Sequence, residues 1–138
     1  MAIQYAVECN NAALDAKEAT IGTAPTLEGW SGTKPAHCAD ADTGTKIASG
    51  VLPSDWLTAA DAGVKSKAGT WTLTGLAAAG GGTNLDYFRI TKGGTCYMQG
   101  SITLIGDGGE MQVNNRNIAL NQIATVDSFV MAVAAANT

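Results

Sequence analysis

Between Asp86 and Ile105 the chain reads DYFRITKGGTCYMQGSITLI, with apolar and polar residues alternating on both sides of Gly93-Gly94. Cys96, Met98, Gly100, Ile102 and Leu104 fall on one face, and Thr95, Tyr97, Gln99, Ser101 and Thr103 on the other. A period of two held over that length predicts a β-hairpin with one buried face, turning at the glycine pair. The same period recurs elsewhere. Thr45 to Leu52 sets Thr45, Ile47, Ser49 and Val51 on one face, and Thr70 to Thr74 places Trp71 and Leu73 between threonines. Ile123 to Val133 forms a long closing strand with Phe129, Met131 and Val133 together. Thr26 to Ser31 and Glu110 to Val113 are shorter strands. Pro53-Ser54-Asp55, Gly106 to Gly109 and Asn114 to Asn117 are the turns between them. Trp56 to Ala62 is expected to form one helical turn, while Gly32–Gly44 and Ala77–Asn84 read as loops.

The first segment has a different rhythm. From Ala2 to Ile21 it lacks Gly and Pro and is rich in Ala, Glu, Gln and Lys, which favours helix. Val7, Leu14 and Ile21 recur every seven residues, with Ile3 one turn ahead of Val7. Asn10 and Lys17 interrupt that seam, so an autonomous coiled coil is not expected; the helix either lies on its own sheet or presents the seam to a partner subunit. Gly22 and Pro25 mark its end. The fold expected is all-β: a β-sandwich or jelly-roll-like domain over 23–138, preceded by a short N-terminal α-helix within an arm over 1–22.

Composition narrows the function. Of 138 residues, 46% are hydrophobic but only 6% aromatic, so few large side chains build the core and subunit contacts are expected to help. Charged residues are 14%, against roughly 25% in ordinary soluble domains, as expected of a surface partly covered by a partner. A net charge of −4 with scattered Lys and Arg argues against nucleic acid as a partner. No stretch approaches the roughly 20 apolar residues of a membrane span, and the opening residues lack the basic n-region of a signal peptide. Three widely spaced cysteines, Cys9, Cys38 and Cys96, predict reduced thiols in a protein made in a cytoplasm, with Cys96 a small core hydrophobe.

Candidate chemistry is sparse. His37, Cys38, Asp40 and Asp42 lie close in sequence, but adjacent His-Cys does not converge on zinc. Asp40-Ala41-Asp42-Thr43-Gly44 begins like a calcium loop, yet Thr45 and Val51 occupy the places that need Gly and Glu. These aspartates are expected to organise a turn. No Gly-x-Ser-x-Gly elbow or phosphate-binding Gly-Lys-Ser/Thr is present. The expectation is no enzyme, no metal and no cofactor. Trp30 and Trp56, in irregular segments, are candidates to face a partner or to stack on a sugar.

The opening AIQYAVECNNAALDAKEATIGTAPTL and four later blocks, Gly32–Ala36, Leu52–Trp56, Tyr87–Ile90 and Gly94–Gly100, resemble small virion proteins of tailed bacteriophages. The blocks keep their order over most of the chain. Leu27-Glu28-Gly29-Trp30 departs from the more apolar and basic strand usual there. The resemblance implies a capsid cement or decoration protein on the virion surface. Its partners would be the major capsid protein and further copies of itself, as a trimer or dimer. Ile3, Val7, Leu14 and Ile21, with Trp30 and Trp56, are the expected contacts, so Leu14→Asp is expected to abolish oligomers and spare the β-domain. A neck, tail or head-fibre component, or a carbohydrate- or receptor-binding module on the particle, is the alternative.

Overall fold

The computed structural model describes residues 3–132. One helix, α1 (Val7–Ile21), precedes ten strands: β1 (Thr26–Ser31), β2 (Thr45–Val51), β3 (Val64–Ser66), β4 (Trp71–Gly75), β5 (Thr83–Asn84), β6 (Tyr87–Lys92), β7 (Thr95–Leu104), β8 (Met111–Val113), β9 (Asn117–Ile118) and β10 (Ile123–Ala132). The all-β expectation with an N-terminal helix holds. The sandwich does not. Eight strands run in the order β3-β10-β4-β2-β1-β6-β7-β8, and β8 pairs again with β10, so the sheet curls into a closed barrel with β3 appended to β10. Closure suits a chain with few large side chains, because one small barrel needs a single interior layer and removes most free strand edges. All its pairs are antiparallel except β7 with β8.

The predicted hairpin is β6–β7, turning at Gly93-Gly94. Phe88 and Ile90 of β6 enter the core, as do Leu27 of β1, Trp71 and Leu73 of β4, and Ile102 of β7. Aromatic rings run through this core: Trp56 to Trp71 at 5.8 Å, Trp71 to Phe129 at 5.1 Å, and Phe129 edge-on to Phe88 at 5.7 Å. Strands β2 and β4 meet over only two residue pairs, Ala48↔Gly75 and Ser49↔Thr74. There a Cβ on Gly75 would run into the Ala119 carbonyl oxygen, and one on Gly50 into that of Thr72. Both positions need glycine for close backbone approach.

Bulges break the simple alternation. On β2, the register shift opposite Gly29/Trp30 lets Ile47 and Ala48 both enter the core, rather than Ile47 alone. On β10, a shift between Val126 and Ser128 moves the buried set from Ala124 and Val126 to Phe129. Val133, grouped by sequence with Phe129 and Met131, lies outside the described residues. The segment from Trp56 to Ala62 is no helical turn. It is extended as far as Asp61 and turns at Ala62, whose φ is 53°, bridging Leu57 to Lys67 and Asp61 to Val64. The loop over 77–84 holds a 3-10 turn, Ala77–Ala79, and strand β5.

Helix α1 ends as foreseen, at Gly22 in a positive-φ conformation whose N–H donates to the Glu18 carbonyl. Two residues of the sevenfold seam form its docking face, and they turn inward rather than toward a partner. Leu14 and Ile21 are buried against the chain's own barrel, Val7 stays exposed, and polar groups along the helix add hydrogen bonds to the same docking. Gly63 N–H donates to Asn11 Oδ1 at 2.9 Å, Ala60 N–H to Asp15 Oδ1 at 3.2 Å, and Trp56 Nε1 to the Gly22 carbonyl at 2.9 Å. Lys65 of β3, 1% exposed, reaches Asp15 at 2.7 Å and Glu18 at 2.8 Å.

This clamp makes stability pH-dependent. Burial pulls the Lys65 pKa down, but its hydrogen bonds to Asp15 and Glu18 outweigh that and hold it above the ordinary 10.5. The hydrogen bond from Lys65, then that from Ala60, hold Asp15 below its ordinary 3.8. The stability from Asp15 is therefore complete above 3.8 and lost as pH falls through its lower folded value. That from Lys65 is complete below 10.5 and lost as pH rises through its higher folded value. Denaturant unfolding across pH should show a plateau that drops at both ends, and Asp15→Asn should flatten the acid limb. An acid limb unchanged by that substitution would remove Asp15 from the clamp.

Candidate functional site

Loop 32–44 is not free. It lies across the outer face of β6 and β7, fastened at five places. The Arg89 guanidinium, 6% exposed, donates from Nη2 to the carbonyls of Asp40 at 3.0 Å and of His37 and Cys38 at 3.4 Å. Gln99 accepts from Arg89 Nε at 3.2 Å and donates to the Pro35 carbonyl at 2.8 Å. Tyr87 Oη donates to the Thr43 carbonyl, and Gly32 N–H donates to Asp86 at 2.7 Å. Asp86 also pairs with Arg116 at 2.7 Å. The fifth fastening is a disulfide between Cys38 and Cys96, with Cα atoms 5.6 Å apart.

That disulfide corrects the expectation of three reduced thiols and of Cys96 as a core hydrophobe. The reason is local. Ile90 faces Met98 and Thr91 faces Cys96, so Tyr97 is an extra residue in β7. Cys96 thereby shifts to the face of Arg89 and Gln99, where Cys38 meets it. Cys9, on the helix, is free and exposed. The aspartate turn appears as expected: His37 N–H donates to Asp40 Oδ2 at 3.0 Å. Among the described residues no three His, Cys, Asp or Glu side chains stand close enough to share a metal ion.

The six expected contact residues separate into two sets. Trp30 is 7% exposed, stacked on Tyr87 with centroids 6.0 Å apart, and Trp56 is fully buried beneath the helix end. Neither is available to a partner or a sugar. Leu14 and Ile21 are likewise covered by the chain's own barrel, so Leu14→Asp would injure the helix docking itself rather than an oligomer alone. Ile3 and Val7 remain exposed, at 71% and 46%, and the structure adds Tyr5 at 50%. The alternation Ile3-Gln4-Tyr5-Ala6-Val7 is the sequence signal for Tyr5, masked by the helix-favouring composition that runs from Ala2.

Beside α1, between β7 and β10, lies an open cleft of about 620 Å³. Phe88 and Phe129 line it together with Met98, Val130 and the helix residues Ala13 and Ala16. Lys17, Thr20, Gln99 and Glu110 add polar groups to it, so the cleft offers an apolar floor with a polar margin.

Fold and surface together define a small closed β-barrel, strapped by one outer loop and carrying a helix with an exposed apolar lead. No family model matches the chain, and no curated protein or solved structure matches it either. No helix among the described residues is long and apolar enough to cross a membrane.

Proposed function

We propose that this chain is a structural protein of a tailed-phage particle, a cement or decoration protein that stabilises the shell by bridging capsid subunits. The observation that carries this reading is the pairing of a strapped barrel with an exposed apolar lead, Ile3-Gln4-Tyr5-Ala6-Val7, in the segment whose sequence resembles virion proteins. A compact barrel gives a rigid body, and the lead gives it something to grip with. Many copies, each adding a modest contact, sum to a shell that resists internal pressure. A low-charge surface suits close protein contact. The Cys38–Cys96 bond fits a protein that works outside the reducing cytoplasm, as a released particle does.

Copy number tests it. Quantitative mass spectrometry of purified particles is expected to give hundreds of copies in a fixed ratio to the major capsid protein. A few to a few dozen copies would instead place the chain in the neck, tail or head fibre. Absence from the particle would remove the virion role. The sugar-binding alternative has lost its platform, since Trp30, Trp56 and Trp71 are all buried.

A further inference from the structure

The barrel is closed at one end of its seam and open at the other. One edge of β7 pairs with β6 from Thr95 to Ser101, but the opposite edge pairs with β8 only at Ile102–Leu104. Strand β10 meets β8 only between Val126 and Phe129, and beyond that its other edge carries β3 at Val130–Ala132. Strand β8 is three residues long and runs out. Past its start at Met111, Gln99 and Val130 line the same cleft with no strand between them among the described residues.

The backbone in this gap is oriented for pairing. Ile102 N–H donates to the Asp86 carbonyl on the β6 side, so by strand alternation the peptide groups of Ser101 and Gln99 point into the cleft. Ser101 N–H is met there by the Glu110 carboxylate at 3.1 Å, a side chain standing where a strand carbonyl would be. The Phe129 carbonyl accepts from Lys67 N–H on the β3 side, which turns the Val130 peptide group toward the cleft. Helix residues Ala13, Ala16 and Thr20 form the flank.

We propose that this gap in the barrel wall is a strand-addition site, and that its occupant is the Ile3–Val7 lead of a second copy of the chain. The inference rests on the self-assembly part of the reading above; the particle role does not enter it. The lead has the pattern such a slot takes: backbone to pair on both sides, with Ile3 and Tyr5 on one face for the apolar floor. Ala6 is already extended, at φ −63° and ψ 153°.

The lead cannot serve its own cleft. The flank at Ala13–Thr20 begins about 9 Å along the helix axis from Val7. Four extended residues span about 13 Å, so only the tip would arrive. Exchange between copies has no such limit. Ile3, Tyr5 and Val7 present on the order of 300 Å² of exposed apolar surface per lead. Counting the cleft surface covered and a reciprocal second lead brings the total to on the order of 900 Å², short of the roughly 1,200 Å² of a standard interface, so backbone pairing of the added strand supplies part of the affinity.

The test uses the full chain and the double variant Ile3→Asp/Tyr5→Asp, which lies outside the barrel and leaves its core intact. Analytical ultracentrifugation should show wild type as a dimer or small ring at micromolar concentration. In the variant the dissociation constant should rise at least 100-fold. Hydrogen exchange should protect the Gln99 and Val130 amides in the oligomer and release them in the variant. A wild type monomeric at every concentration would overturn both self-assembly and this inference. Unchanged assembly in the variant would overturn the lead-and-cleft contact alone. Protection of Gln99 and Val130 that persists in monomers would put another segment, such as the chain's own 133–138, in the cleft and also overturn it.

Discussion

Breaking the Cys38–Cys96 disulfide, by reduction or by replacing both cysteines with serine, should lower the unfolding free energy by about 4 kcal/mol. The figure follows from the 58 residues that separate the two cysteines, since the bond denies the unfolded chain the freedom of a loop that long. For a domain of this size the melting temperature should fall by on the order of 10–20 °C. The barrel itself should persist, because Arg89, Gln99 and Tyr87 still hold the loop carbonyls. Calorimetry with and without reductant measures the first effect. Hydrogen exchange over residues 36–42 should rise at the same time. An identical melt in both conditions would mean that the bond contributes nothing to stability.

Trp71→Ala should cost about 3–5 kcal/mol, the range for removing a large aromatic from a packed interior. Trp71 is the middle of the ring series, touching Trp56 on one side and Phe129 on the other, and its Nε1–H satisfies the Ala68 carbonyl at 3.1 Å. With so few large side chains, neighbouring residues cannot collapse into the space. Trp71→Phe keeps part of the contact area but leaves a smaller cavity and the Ala68 carbonyl without its donor, so it should lose about 2 kcal/mol. Urea unfolding monitored by far-ultraviolet circular dichroism separates the two. A loss below about 1 kcal/mol for the alanine variant would show that the ring series is not where the core is held.

The period of two was enough to find β4, the β6–β7 hairpin and β10, because each buries one face in a common interior. It could not find how they close. A sandwich and a barrel present the same alternation, and the difference here lies in three residues, Met111–Val113, that pair on both sides. Bulges were also silent. One extra residue at Tyr97 sends Cys96 to the outer face, and nothing in the local sequence marks it. The helix was legible as a helix, but its contacts were not, because Asn11, Asp15 and Glu18 look like a solvated face until Lys65 is placed opposite them. Of the expected contact residues, Ile3 and Val7 stayed on the surface. Trp30 is covered because it lies in β1 and stacks on Tyr87, and Trp56 because an irregular segment can be as deeply buried as a strand.

Strand β10 has an order-of-assembly consequence. It joins β4, β3 and β8, yet it is made after all three, and about 50 residues separate it from β4. Until it leaves the ribosome, β4 and β8 carry naked edges and the tryptophan interior has no lid. Completion of the barrel therefore waits on a single late docking step. Any nascent intermediate stalled short of Ile123 would be the species that chaperones hold or that aggregates. Truncation at that point should convert a folded product into a chaperone-bound one.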